Sequence, residues 1–106
     1  MTTFEISDLI AQRSNSGKRY LEFLRVTAMS LGVYTLPAGG VDSQSPHAED
    51  EAYYVISGRG QIFVGGENHS AQPGSLVFVA AGVEHRFHSI TEELQLLVFF
   101  APAERE

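Results

Sequence analysis

The chain has 106 residues, 43% hydrophobic and 19% charged, a composition that fits one globular domain and excludes a disordered or fibrous chain. Thirteen acidic against seven scattered basic residues give a formal charge of −6, which argues against nucleic acid as a partner, since a polyanion needs a basic face. The absence of cysteine removes disulfides, thiolate metal sites and cysteine nucleophiles together.

Ser7, followed by Asp8 and the apolar Leu9 and Ile10, reads as the N-cap of a short N-terminal helix that closes near Asn15 to Gly17. After it the pattern changes to short runs of β-branched and aromatic residues broken by Gly, Pro and Asn. Tyr20 to Val26 and Met29 to Leu36 read as strands, the second with Met29, Leu31, Val33 and Thr35 on one face and Pro37 and Gly39-Gly40 at its end. Ala52 to Ser57 and Gln61 to Val64 follow, joined by a turn at Gly58-Arg59-Gly60. Gly65-Gly66 signals a tight turn with a short return through His69. Gln72-Pro73-Gly74 leads into Ser75 to Val79, Ala81-Gly82 precedes His85 to Ile90, and Leu94 to Phe100 is the last strand. About eight strands at intervals near ten residues, with no long helix between them, predict an all-β fold, an antiparallel sandwich or barrel. Tyr53, Phe63, Phe78, Phe87 and Phe99 read as its apolar core.

The chemical signal lies in two histidines and a carboxylate. His47 precedes the apolar run Tyr53 to Ile56, and His85 stands at the start of another strand. Side chains alternate along a strand, so His47, Glu49 and Glu51 share a face that Tyr53 and Val55 continue inward. A barrel with bulky side chains at depth and His and Glu at its mouth has the layout of a small-molecule or metal pocket. His88 falls on the opposite strand face from His85, His69 lies in a hairpin, and Arg59 and Arg86 read as solvated; all four stay outside the site.

Gly39, five residues, Ser45-Pro46-His47, three residues, Glu51, six residues and Gly58 resemble the first cupin motif, G-x5-H-x-H-x3-E-x6-G. Gly74, five residues, Ala80, Gly82, His85 and Ser89 resemble the second, G-x5-P-x-G-x2-H-x3-N. The resemblance runs roughly from Met29 to Ala101, and the short stretch from Arg59 to Pro73 between the motifs is similar to that of small single-domain cupins of the RmlC-like kind. It implies a double-stranded β-helix, or jelly-roll barrel, over residues 29–101, preceded by an N-terminal arm over residues 1–28, in a single domain. It also implies a metal held by two His and one Glu of the first motif and one His of the second. Carried over, His47, Glu51 and His85 are the metal ligands, while Ser45 stands where the first imidazole belongs.

Two imidazoles and one carboxylate still suffice for a divalent transition metal, Fe, Mn, Ni, Zn or Cu, with positions left for a small organic ligand. The resemblance therefore implies a metal-dependent enzyme of dioxygenase, isomerase or lyase type, with Tyr53 or Glu49 handling protons. The alternative is a non-catalytic binding or sensing cupin with a weak or absent metal site, which the missing imidazole favours. A homodimer is expected, because Phe4, Ile6, Leu9, Ile10, Tyr20, Phe23 and Leu24 are more apolar matter than a free arm should expose. The longest apolar run, Leu96 to Ala101, is far short of the ~20 residues that span a bilayer, and the N-terminus lacks a signal-peptide pattern; a cytoplasmic protein with no membrane partner is the expectation.

Overall fold

Glycine and proline mark where a β chain reverses, but not every glycine is a reversal, and two long strands here run through expected breaks. The computed structural model describes residues 1–105. A helix α1 (Ile6–Ser16) precedes six strands, β1 (Tyr20–Val26), β2 (Met29–Leu36), β3 (Asp50–Val64), β4 (Glu67–Ala71), β5 (Leu76–Val79) and β6 (His85–Ala101). The helix starts earlier than Ser7 suggests: Glu5 is the N-cap and makes no side-chain capping bond. It ends as read, on Gly17 at φ 72, a left-handed conformation that glycine adopts without steric cost. Leu9 is its buried residue, and the helix packs on β1 and β2.

All pairings are antiparallel, in the order β1-β2-β6-β3-β4, with β5 added on β3. The all-β fold read from the sequence is the observed one, as an open, sandwich-like ladder. The eight expected strands are six, because Gly58-Arg59-Gly60 is not a turn and the last two segments are one strand. The β3–β6 ladder instead shifts register three times between Val55 and Gln61. Gly58, at φ +94, sits so close to the Glu93 carbonyl that a Cβ there would collide with backbone. An irregularity of this kind bends a strand and reverses which residues face inward. Buried positions in β3 accordingly change from odd (Glu51, Tyr53, Val55) to even (Ile62). In β6 they change from odd (His85, Phe87) to even (Ile90, Leu94, Leu96, Val98, Phe100) across Ser89, the one non-glycine residue with positive φ among those described, at 50°.

The bend divides each long strand between different neighbours. The first half of β3 lies between β5 and the end of β6, and its second half between β4 and the start of β6. Side chains from both halves meet in one core around Tyr53, Val55, Ile62, Phe87, Leu96 and Val98. Of the five aromatic residues expected in this core, Tyr53 and Phe87 are within it, Phe63 and Phe99 are half-buried, and Phe78 is 64% exposed. The correction has a simple cause: Phe78 pairs with Ala52, whose phase in β3 is opposite to that of the buried Tyr53. Among the described residues no helix is long and apolar enough to cross a membrane.

Candidate metal centre

Three parts of the chain build the site. The loop between β2 and β3 carries His47, the inward face at the start of β3 carries Glu51 and Tyr53, and the first residue of β6 is His85. The loop is held to β6 by the buried Asp42, whose Oδ2 accepts from Phe87 N–H at 2.9 Å and whose Oδ1 accepts from the Tyr34 hydroxyl at 2.9 Å. A second tie runs from Gly82 N–H to the His47 carbonyl at 2.8 Å. These bonds bring together two histidines that the sequence keeps far apart.

His47, Glu51 and His85 each offer one ligand atom, and these atoms lie within 4.8 Å of one another. His85 Nε2 is 3.0 Å from Glu51 Oε1, and His47 Nε2 is 3.8 Å from the same oxygen. The 3.0 Å contact lacks hydrogen-bond alignment, so Glu51 Oε1 and His85 Nε2 are both buried with no hydrogen-bond partner. Orphaned buried polar atoms are costly, and two that face each other fit a cation between them. The far nitrogens of both rings have acceptors: Val83 O lies 2.9 Å from His85 Nδ1, and Glu104 Oε2 lies 3.2 Å from His47 Nδ1. At His85 the acceptor at Nδ1 directs the Nε2 lone pair to the site, as outer-sphere groups do for metal-binding histidines. His47 donates from Nε2 to Gln44 Oε1 at 3.0 Å, and Glu104 is placed to take that ring's proton at Nδ1 when Nε2 serves as a ligand.

Above the cluster opens a cavity of about 230 Å³, walled by Tyr20, Tyr34, Gln44, His47, Glu51, Tyr53, Val98, Phe100 and Glu104. These walls carry carboxylates, phenols and apolar surface, and no Lys or Arg. Burial, reinforced by the Glu51 carboxylate, holds the Tyr53 phenol well above its usual pKa, so it stays protonated and donates to Gln44 Oε1 at 3.1 Å. Burial likewise raises Tyr20 and Tyr34, assisted at Tyr20 by Glu104 and at Tyr34 by Asp42. For His85 burial pushes the pKa down, but the Glu51 carboxylate and the Val83 carbonyl more than offset it, and the net shift is upward. Burial raises the Glu104 carboxyl, opposed by His47.

The three expected ligands are thus neighbours, and Tyr53 is a wall of the cavity. Glu49 is buried, but its Oε2 accepts from Arg105 N–H at 3.4 Å and it does not line the cavity. Ser45 is exposed. His88 bonds Asn68 Oδ1 at 2.6 Å and His69 bonds Ser70 O at 2.8 Å, both outside the cluster, and Arg59 and Arg86 are paired on the surface with Glu92 and Glu84. Sequence reasoning missed Asp42, Gln44 and Glu104. The first two lie in an irregular loop with no periodicity to assign a facing, and Glu104 reaches His47 only through the folded C-terminal segment.

This chain belongs to the cupin domain family, whose model matches residues 32–101. It is 50% identical over 104 residues to the uncharacterised protein SCO3923 of Streptomyces coelicolor, covering 98% of this chain and 99% of that one. Its fold is similar to the crystal structure of TT1209 from Thermus thermophilus, at a TM-score of 0.75 and 27% identity over 97% of this chain and 99% of that one. It also resembles the DMSP lyase DddQ from Ruegeria pomeroyi at a TM-score of 0.70, with 18% identity over 83% of this chain and 49% of that one, a likeness of fold alone.

Proposed function

We propose that this cupin holds one divalent transition-metal ion on His47, Glu51 and His85 and acts as a metal-dependent enzyme on a small organic molecule. One observation carries the reading: the three donor atoms lie within 4.8 Å, two of them buried and without a hydrogen-bond partner, at a cavity fit for a small ligand. Fe, Mn, Ni, Zn and Cu all suit two imidazoles and a carboxylate. Such an ion supplies Lewis acidity, and in redox-active cases electron transfer, to a ligand in the cavity.

The protein's own part is to bind and orient. Tyr20 is a wall of the cavity, and its hydroxyl is buried without a hydrogen-bond partner over Gly32, so its ring gives the cavity apolar shape. Tyr53, kept protonated, serves as a proton donor; Glu49, buried on the Arg105 backbone, is not a lining residue and takes no part in this reading. Reaction types in keeping with this set are those of a dioxygenase, isomerase or lyase; the lyase DddQ of similar fold supports the last by analogy.

The exposed Ser45, where the motif has an imidazole, favours a second reading, a small-molecule binding cupin without turnover. A homodimer accompanies either reading.

Elemental analysis of protein purified without chelator, for wild type, His85→Ala and His88→Ala, tests the centre. About one metal per chain is expected in the wild type and in His88→Ala, and loss of it in His85→Ala. Metal addition at about 100 times Kd should stabilise the wild type by about 2.7 kcal/mol and leave His85→Ala unmoved. Absence of metal after incubation with Fe(II), Mn(II), Ni(II), Cu(II) and Zn(II) would overturn the metal reading and leave the binding module.

A further inference from the structure

Position 45 is an exposed serine, and the side chain that enters the cavity from this stretch is its neighbour Gln44. The facing of that amide is dictated by charge. Gln44 Nε2 donates to Asp42 Oδ2 at 2.8 Å, and a carboxylate only accepts, so the NH₂ end must point to Asp42. Asp42 is itself fixed, buried and already accepting from Tyr34 and from the backbone of Phe87. The amide oxygen is therefore turned inward, 3.0 Å from His47 Nε2 and 3.1 Å from the Tyr53 hydroxyl.

Gln44 Oε1 can only accept, so without a metal His47 donates to it from Nε2, while Nδ1 lies 3.2 Å from Glu104 Oε2. A cation that takes Nε2 displaces that proton, and Glu104 is placed to hold it at Nδ1. Gln44 Oε1 at 3.0 Å and Glu51 Oε1 at 3.8 Å then both stand beside the freed nitrogen. His85 needs no such shift, since its Nδ1 is already on Val83 O and its Nε2 faces Glu51 Oε1 without a hydrogen bond. A cation among these atoms is attracted by all of their lone pairs, and the Gln44 oxygen lies within the same group.

We propose that Gln44 is a fourth protein ligand of the centre, its amide oxygen taking the role that the exposed Ser45 does not fill; this rests on the metal reading above. An amide oxygen is neutral, as imidazole is, so the net charge of the ligand set is unchanged. It is a harder donor, and it moves the preference of the site from Cu and Ni towards Mn and Fe. Gln44 is then the residue that decides which metal the site favours.

The test uses the purified full chain as wild type, Gln44→Leu and Gln44→His. Titration with Co(II) and Mn(II), Co(II) absorption and Cu(II) electron paramagnetic resonance are the readouts, with metal-free circular dichroism as the check on folding. Gln44→Leu, close in size but without a donor, should lose about tenfold or more in Co(II) affinity and change the Co(II) visible spectrum. Gln44→His should add one nitrogen to those coupled to Cu(II) and raise Cu(II) affinity relative to Mn(II). Wild-type affinity and spectrum in folded Gln44→Leu, or no added nitrogen in Gln44→His, overturns the assignment of Gln44. If Gln44→Leu does not fold, the nitrogen count in Gln44→His decides alone. A wild type that takes up no metal overturns the underlying reading as well, and is seen before any variant is made.

Discussion

Each polar side chain in the site acts through the atom its neighbours leave exposed. Glu104 is the clearest case: it touches His47 from behind, at Nδ1, so its loss should loosen the ring without removing a ligand. Glu104→Ala is expected to weaken metal affinity by about tenfold, the range typical of outer-sphere partners, with the circular dichroism spectrum unchanged. Tyr20 is the opposite case, a buried hydroxyl with nothing to bond. Leaving a buried polar group unsatisfied costs about 1–3 kcal/mol, so Tyr20→Phe should leave the ligand-free protein as stable as wild type or up to about 1 kcal/mol more stable in urea unfolding. A clear destabilisation by Tyr20→Phe would mean that the hydroxyl has a partner in the folded protein.

At the scale of elements, the fold depends on two departures from regular strand. Gly58 in β3 and Ser89 in β6 lie at the places where the buried phase changes, so the bend of one strand is matched in its partner. Ser89 occupies the left-handed region at φ 50, where a serine is strained and asparagine or glycine is at ease. That conformation gives a physical reason for asparagine at this position of the second cupin motif. Ser89→Asn or Ser89→Gly should raise the unfolding free energy by roughly 0.5–1 kcal/mol. Gly58→Ala should do the reverse and by more, roughly 3 kcal/mol, because both the positive φ and the Glu93 carbonyl stand against a Cβ. Equal and small effects at the two positions in chemical denaturation would show that the bend is not held there.

For the whole molecule, the apolar surface left over bears on the proposed homodimer. The N-terminal segment absorbs part of its own: Leu9 is buried and Phe4 packs edge-on against Phe23 at 4.8 Å, while Phe4, Ile6 and Val26 stay partly exposed. A second group forms one patch: Tyr54, Leu76 and Phe78 are 41%, 71% and 64% exposed, and the register of β3 with β5 sets them on the outer face of those strands. The proposed homodimer is therefore expected to bury this face. Sedimentation equilibrium should give a dimer for the wild type and a monomer for Leu76→Ser with Phe78→Ser; a wild-type monomer would refute the pairing.

The local half of this protein was legible from residue order. Tyr20–Val26 and Met29–Leu36 are strands with the bounds that alternation and glycine suggest, and Glu51, Tyr53 and Val55 share the inward face that a period of two requires. The spacing of His47, Glu51 and His85 was visible too, because motif spacing is a property of the chain. What period and spacing do not contain is the phase change at Gly58 and Ser89, since a glycine in a strand can equally be a turn or a bulge until a partner strand is present. For the same reason Gln44, and not Ser45, turns into the site: the loop carrying both has no repeat, and its facing is set by Asp42 bonding to β6. Glu104 meets His47 only after the sheet has brought the end of the chain back beside the loop. Contacts between residues near in sequence follow from backbone geometry; those between distant residues follow from register, which only the assembled sheet decides.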